Sequence, residues 1–174
     1  MRGHNQSTQY IGQLSYRSLL TGEDESLKVE VSVREPILET IRELPARTLL
    51  IDPFRRKPAV DLIPIPVLSR QETYAEKLRA ALSRREPAIR DFYDVDQAVR
   101  AGWIDPKDPT LVELVRQKLA IGGNDTVDVS TEKSQVLRKQ VENRLKPVLR
   151  EGDFADFNLD LAFDVVCQFA EQLL

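Results

Sequence analysis

Cations and carboxylates are closely spaced within residues 74–99, where they could handle phosphate groups. Lys77 and Arg84 are seven residues apart, and Asp91 and Asp94 are three residues apart. In a helix, residues at i and i+7 share a face, and three residues advance about 300°, so the two carboxylates lie about 60° apart. The same spacing also fits an ordinary ion-pair seam, and both interpretations remain open on spacing alone.

Two short helices, separated at Pro87, must position these charges. Pro87 ends the first helix and suits the first turn of the second, in which Arg90 is expected to reach Asp94 at i+4. Ser69 and Glu72 predict a capping box at the start, and Gly102 predicts the end of the second helix. Each helix has one apolar stripe: Tyr74, Leu78, Ala81 and Leu82 in the first, and Ile89, Phe92, Val95 and Val99 in the second.

Composition limits the class of protein. A chain of 174 residues with 41% hydrophobic residues can bury one core, or form a domain with a helical extension. Its net charge of −3 argues against a dedicated nucleic-acid coat, so any phosphate contact must be a local site. No apolar run reaches the length of a membrane span and no signal peptide is evident, so we expect no membrane partner and a cytoplasmic protein.

Cysteine and histidine usage narrows the chemistry further. The single cysteine, Cys167, excludes an intrachain disulfide and a cysteine metal cluster, and its apolar helix predicts a reduced core thiol. The single histidine, His4, lies in a polar terminus, which argues against Ser-His-Asp, Cys-His and histidine-zinc sites. Any catalysis must therefore depend on carboxylates, lysine, arginine and a metal such as Mg²⁺.

The first 68 residues favour strands. Alternation predicts strands over 9–20 and 27–35 around a turn at 21–26, with Leu27, Val29, Val31 and Val33 facing inward and Glu30 outward. Residues 36–47 fit a short helix or a loop, 48–52 a short buried strand, 54–58 a basic loop, and 59–69 a sheet edge or an extended connection.

The C-terminal region favours helices. A third helix is predicted near 110–121, and residues 131–150 carry a net charge of +4 against −6 for residues 151–174. These blocks predict an antiparallel helix pair turned at Gly152 and Asp153, with an RNA-binding helix at 131–150 as the functional alternative. The expected fold is α+β, with a β region at 1–68 and a helical domain at 69–174.

One segment resembles a known family signature. Lys77-Leu78-x-Ala80, then Arg84, then Arg90-Asp91-x-Tyr93-Asp94-Val95 is similar to the K-L-x-A…R…R-D-x-Y-D-L signature of abortive-infection nucleotidyltransferase toxins of the AbiEii/AbiGii type. The resemblance is tight over about 25 residues and loose over residues 9 to 100. It implies a nucleotidyltransferase-type sheet followed by a helical bundle, in a toxin of a toxin–antitoxin system.

The resemblance also implies roles for individual residues. Lys77, Asp91 and Asp94 would be catalytic, and Lys77, Arg84 and Arg90 would contact nucleotide phosphates. Glu30 would be a candidate Mg²⁺ ligand, because related enzymes carry a third metal-binding carboxylate on a comparable strand. The implied partners are an NTP such as GTP, an RNA acceptor and an antitoxin protein.

The family's first motif has no counterpart in this sequence. A Gly-Ser pair followed about ten residues later by D-x-D or D-x-E is expected before the Leu27–Val33 strand, and the chain contains no Gly-Ser pair. We therefore expect either a C-terminal portion of a longer protein or a non-catalytic relative, inactive as an isolated transferase. The alternative is a non-enzymatic helical interaction module. A nuclease based on Asp24 and Glu30 is disfavoured, because Ser32 stands where a catalytic lysine is expected.

Overall fold

The computed structural model describes residues 9–33 and 36–173 of the chain. The chain divides into two compact units, Met1–Pro36 and Ile37–Leu174, which are described separately below. The secondary structure is α+β, as predicted, with six strands followed by six α-helices in the described residues. His4 lies outside the described residues.

The first unit contains an antiparallel hairpin. Strands β1 (Gln9–Arg17) and β2 (Asp24–Ser32) pair in a register that sets Leu14 opposite Leu27 and Gly12 opposite Val29. Gly22 has a φ of 75° in the connecting turn, a conformation that glycine adopts without steric cost. Both predicted strands form, but the turn lies at residues 18–23 and β2 starts three residues earlier than predicted. Leu27, Val29, Val31 and Val33 are 40–60% exposed, so their predicted inward orientation is wrong.

Residues 37–67 of the second unit form two small ladders. Strand β3 (Arg42–Ala46) pairs with β6 (Ile63–Val67), and β4 (Ile51–Asp52) pairs with β5 (Lys57–Pro58). The prediction of a helix or loop over residues 36–47 is therefore wrong for β3. The predicted buried strand at 48–52 is a two-residue exposed bridge, whereas β6 confirms the prediction that its prolines confine it to a sheet edge.

Helices make up the remainder of the second unit. Their bounds are α1 (Arg70–Ser83), α2 (Ile89–Arg100), α3 (Pro109–Leu119), α4 (Thr131–Gln140), α5 (Glu151–Ala155) and α6 (Leu159–Glu171). A π-helical turn (Val141–Leu145) and a 3₁₀ turn (Lys146–Val148) follow α4. Gly102 ends α2 with a φ of 65°, and the Trp103 N–H donates back to the Ala98 carbonyl, which confirms the predicted helix stop.

The hydrophobic core lies among these helices. The predicted stripes of α1 and α2 are buried except for Tyr74 and Val99, which are partly buried. Helix α6 packs on them, with the Phe163 ring stacked 5.7 Å from that of Phe92. Val166 and Phe169 on α6 are fully buried, so this helix packs on the earlier helices. The largest fully buried apolar side chains are Leu78, Leu82, Phe92, Val95, Leu111, Val115, Leu137, Leu145, Val166 and Phe169.

A buried ion pair joins α1 to α3 and to the segment that precedes β3. Lys118 Nζ lies 2.9 Å from Glu72 Oε1, and both side chains are 3% exposed or less. The Glu72 carboxylate also accepts the backbone N–H groups of Leu38 and Glu39 at 2.9 and 2.7 Å. Ser69 caps α1 as predicted, accepting from the Glu72 N–H, but the Glu72 side chain is used in these tertiary contacts.

The predicted turn of the C-terminal helix pair at Gly152 and Asp153 is wrong. Gly152 lies inside α5, and the chain passes from α4 to α6 through the π turn, the 3₁₀ turn and α5. Between the basic and acidic blocks, Arg138 pairs with Asp160 at the exposed surface. The predicted boundary at residues 68 and 69 coincides with the change from strands to helices, and as a domain boundary it stays a prediction.

Candidate phosphate-handling site

The first turns of α2 and the C-terminal half of α1 bring four of the predicted charges into one cluster. Lys77 Nζ lies 2.7 Å from Asp94 Oδ2 and 3.7 Å from Asp91 Oδ1. On the other side of the Asp91 carboxylate, Arg84 Nη1 lies 3.0 Å from Oδ2. We call Lys77, Arg84, Asp91 and Asp94 the charge cluster. The helical spacing that predicted a shared face is therefore confirmed.

Burial differs sharply within the charge cluster. The Asp91 side chain is 4% exposed, whereas Lys77, Asp94 and Arg84 are 33–41% exposed. A buried carboxylate needs nearby cations and hydrogen bonds, and Asp91 has two cations and a position in the first turn of α2, where the helix dipole favours negative charge. The Asp91 carboxylate is thus buried and held by two cations, while Lys77 and Asp94 form the solvent-facing edge of the charge cluster.

A residue far along the chain fixes the start of α2. The Gln140 side chain accepts the Ile89 backbone N–H at 3.0 Å and donates to the Pro87 carbonyl at 2.8 Å. Because Ala88 supplies no side-chain cap, Gln140 satisfies a helix terminus that would otherwise lack a partner. This contact holds the backbone at the start of α2, two residues before Asp91, and sequence spacing gave no signal for it.

Arg90 takes no part in the charge cluster. The expected Arg90–Asp94 pair is wrong, because Asp94 pairs with Lys77, and Arg90 is exposed without an ion pair to any described residue. Arg90 instead lines a neighbouring cleft with Arg84 and Arg144. The predicted phosphate contacts are therefore divided between two adjacent surfaces that share Arg84.

Two tyrosines near Asp94, Tyr74 and Tyr93, each pack against another aromatic ring. The Tyr74 ring is 6.3 Å from the Trp103 ring, and Tyr93 meets Phe157 edge to face at 5.6 Å. Burial raises the pKa of Tyr74, and the negative charge of Asp94 raises it further. Both phenols therefore remain protonated at neutral pH, since burial also raises the pKa of Tyr93.

A larger cleft that sequence reasoning missed lies beside Trp103. Its volume is about 720 Å³, and residues of β3, β6, α1 and the loop before α3 line it. The Arg70 guanidinium sits 5.6 Å from the centre of the Trp103 ring. Trp103 directly follows the Gly102 helix stop in the sequence, and that position gives no signal of a cleft wall.

The predicted metal ligand, Glu30, lies on β2 in the first unit and pairs with Lys28. The predicted proximity of Glu30 to the charge cluster stays a prediction. Among the described residues no three Asp, Glu, His or Cys side chains converge as metal ligands. Asp91 and Asp94 are already neutralised by Lys77 and Arg84, so these donors do not fit Mg²⁺.

No helix within the described residues is long and apolar enough to cross a bilayer. A comparison with protein families matches residues 3–166 to the family described as nucleotidyl transferase AbiEii toxin, Type IV TA system. Comparisons with curated proteins and with solved structures found no match.

Proposed function

The chain belongs to the nucleotidyl transferase AbiEii toxin family, and on that premise we propose that its charge cluster handles the phosphates of a nucleoside triphosphate. The observation that supports this most is the position of Lys77. Its side chain is one-third exposed and its ammonium lies 2.7 Å from Asp94 Oδ2, so Lys77 is held in place yet open to a ligand. The predicted catalytic set remains Lys77, Asp91 and Asp94.

Each residue of the cluster has a distinct task in this proposal. Lys77 donates hydrogen bonds to phosphate oxygens and neutralises charge that develops during transfer. Asp91 holds Lys77 and Arg84 in position, because its buried carboxylate accepts a hydrogen bond from Arg84 at 3.0 Å and forms an ion pair with Lys77 at 3.7 Å. Before the ligand arrives, the Asp94 carboxylate keeps the Lys77 ammonium oriented. The incoming phosphate then competes with Asp94 for that ammonium. Arg84 supplies a second phosphate contact, and Arg90 a third from the adjacent cleft.

A nucleotidyltransferase family implies a divalent metal, but the donors in the cluster do not fit one, so no step here passes through Mg²⁺. The sequence also contains no Gly-Ser pair followed by D-x-D. We therefore propose that the isolated chain binds nucleotide without transferring it. Incubation of the purified chain with RNA and radiolabelled NTPs is expected to leave the RNA unlabelled, and labelled RNA would overturn this.

Calorimetric titration with GTP and Mg²⁺ tests the binding proposal. Wild-type protein is expected to bind, and Lys77→Ala is expected to weaken binding by about 10- to 100-fold, the effect of one charge-assisted hydrogen bond. Lys107→Ala is the matched control, because Lys107 is exposed and outside the cluster. Equal affinities for the wild type and Lys77→Ala would contradict the proposal.

The second candidate is a non-enzymatic module that binds a protein partner. A Type IV toxin–antitoxin family implies an antitoxin partner as well as a nucleotide substrate. The favouring observation is the apolar face of the β1–β2 hairpin, where Leu14, Leu27 and Val31 are 49–59% exposed. The helical region, by contrast, buries its apolar faces internally. No binding of GTP at millimolar concentration, with or without Mg²⁺, would favour this module.

A further inference from the structure

Helix α4 buries two polar side chains and exposes an apolar one. Its buried residues are Lys133, Leu137 and Gln140, whereas Val136 is 42% exposed. Residues at i, i+4 and i+7 share one face of a helix, so the three buried residues form one stripe, which we call the α4 stripe. Burial of an ammonium and an amide costs free energy unless both are hydrogen-bonded. The partners of Lys133 and Gln140 therefore account for their place inside the protein.

Lys133 bonds the end of α1. Its Nζ donates to the Leu82 carbonyl at 3.0 Å and to the Asp128 carbonyl at 2.8 Å. Leu82 lies in the last turn of α1, two residues before Arg84 of the charge cluster. Burial lowers the pKa of Lys133, because the ammonium has exchanged most of its hydration for these carbonyls. The last turn of α1 is thus held from outside the helix.

Gln140 bonds the start of α2. Its Nε2 donates to the Pro87 carbonyl at 2.8 Å, and its Oε1 accepts the Ile89 N–H at 3.0 Å. Ile89 is the first residue of α2 and lies two residues before Asp91. The α4 stripe therefore bonds the backbone on both sides of the connection between α1 and α2, and these two helices carry the whole charge cluster.

The ion pairs of the charge cluster are weak restraints on the separation of α1 and α2. The side chains of Lys77, Arg84 and Asp94 are 33–41% exposed, and ion pairs between partly exposed groups contribute little to stability. A phosphate that binds the Lys77 ammonium would also weaken its contact with Asp94. The α4 stripe bonds only backbone atoms of the connection, so its bonds do not depend on that contact.

We propose that Lys133 and Gln140 are positioning residues, which keep α1 and α2 at a fixed separation while a phosphate displaces a carboxylate from Lys77. The inference rests on the proposed function, because the charge cluster is the site that they position. Neither side chain touches the ligand in this proposal, since both act through the backbone of the connection. A site that is already ordered binds more tightly, because the ligand does not have to order it.

Calorimetric titration with GTP and Mg²⁺ measures the effect of each side chain on binding. Lys133→Met and Gln140→Leu remove the bonds to the connection, and each should weaken GTP binding about 10-fold, as is typical of residues that orient a binding group. Gln140→Glu keeps the acceptor for the Ile89 N–H and should bind GTP about threefold more tightly than Gln140→Leu.

Leu137→Ala is the matched control within the α4 stripe. Leu137 is fully buried, and its apolar side chain forms no hydrogen bond with the connection. The substitution leaves a cavity and should lower the urea midpoint at least as far as Lys133→Met does. GTP affinity should nevertheless stay within about twofold of the wild type, because the bonds of Lys133 and Gln140 remain.

The side-chain ¹H–¹⁵N resonances of Lys77 and Arg84 report the geometry of the charge cluster without any ligand. Lys133→Met and Gln140→Leu should shift both resonances, whereas Leu137→Ala should leave them in place. A merely structural role would not move these resonances in a variant that is fully folded, and circular dichroism at the temperature of measurement checks folding.

Three results would overturn the proposal. The first is GTP affinity within about twofold of the wild type in both Lys133→Met and Gln140→Leu. The second is an equal loss of affinity in Leu137→Ala, which would make the loss a consequence of lower stability. The third is weaker GTP binding with unchanged resonances of Lys77 and Arg84. Failure of the proposed function looks different, because the wild type would then not bind GTP, while the resonances measured without ligand would still decide whether the α4 stripe positions the charge cluster.

Discussion

Substitution of Lys118 by methionine should strongly destabilise the second unit. The Lys118 ammonium is buried between α1 and α3, 2.9 Å from Glu72 and 3.5 Å from Glu76. Methionine fills similar space but leaves the Glu72 carboxylate, 2% exposed, without its nearest cation. Removal of one partner from a buried ion pair costs about 3–5 kcal/mol. Because Glu72 keeps the N–H bonds from Leu38 and Glu39, we expect the lower end of that range.

Urea unfolding followed by circular dichroism measures this change in the free energy of unfolding. A loss of about 3 kcal/mol corresponds to a fall in Tm of roughly 6–12 °C for a domain of this size. Glu72→Gln combined with Lys118→Met removes both charges, and we expect the double variant to be at least about 1 kcal/mol more stable than Lys118→Met alone. Lys107→Met, at an exposed position, is the control. The reasoning would be refuted if Lys118→Met lowered the free energy of unfolding by less than about 1 kcal/mol and its effect added to that of Glu72→Gln in the double variant.

Three further predictions concern other local features. Burial raises the pKa of Glu72, but the N–H groups of Leu38 and Glu39 and the Lys118 ammonium outweigh it, so its folded pKa lies below the usual 4.5. The stability that Glu72 contributes is therefore present above about pH 4.5 and lost as the pH falls below it, and Glu72→Gln should flatten the acid limb of a stability–pH curve. Gly102→Ala forces a side chain into a φ of 65° and should lower the free energy of unfolding by about 1 kcal/mol. Gly152→Ala has open space in α5 and should raise the free energy of unfolding by about 0.5 kcal/mol. Equal changes in the free energy of unfolding for the two variants would contradict the account. Burial raises the pKa of the Cys167 thiol, so an aromatic disulfide reagent at about pH 8 should label native protein more slowly than protein unfolded in urea, and equal rates would contradict it.

Local patterns predicted the parts of the fold that depend on nearby residues. The apolar periodicity of α1 and α2, the Ser69 cap and the Gly102 stop are all short-range features, and the structure confirms them. The same periodicity placed Lys77 and Arg84 on one helical face and Asp91 and Asp94 on another, and the turn at Pro87 brings the two faces together. Helix geometry fixes such spacings, which is why the charge cluster could be predicted before its coordinates were known.

Tertiary contacts decided the features that sequence reasoning missed. Strand β3 has a proline, Pro45, opposite Pro64 on β6, so neither sequence shows an ordinary strand pattern. Gln140 caps a helix 51 residues earlier in the chain, and no local signal marks such a contact. The C-terminal turn was predicted from the charge blocks. Two residues mark the helix ends better: Pro147, which lies in the 3₁₀ turn, and Asn158, which caps α6.

The most direct test of the charge cluster is a map of amide chemical shifts in isotope-labelled protein during titration with GTP and Mg²⁺. If the cluster binds the triphosphate, the largest shifts should occur at Lys77, Asp91 and Asp94, and they should disappear in Lys77→Ala. Shifts centred on the Trp103 cleft, or none at millimolar GTP, would contradict the assignment of phosphate handling to Lys77 and its two aspartates.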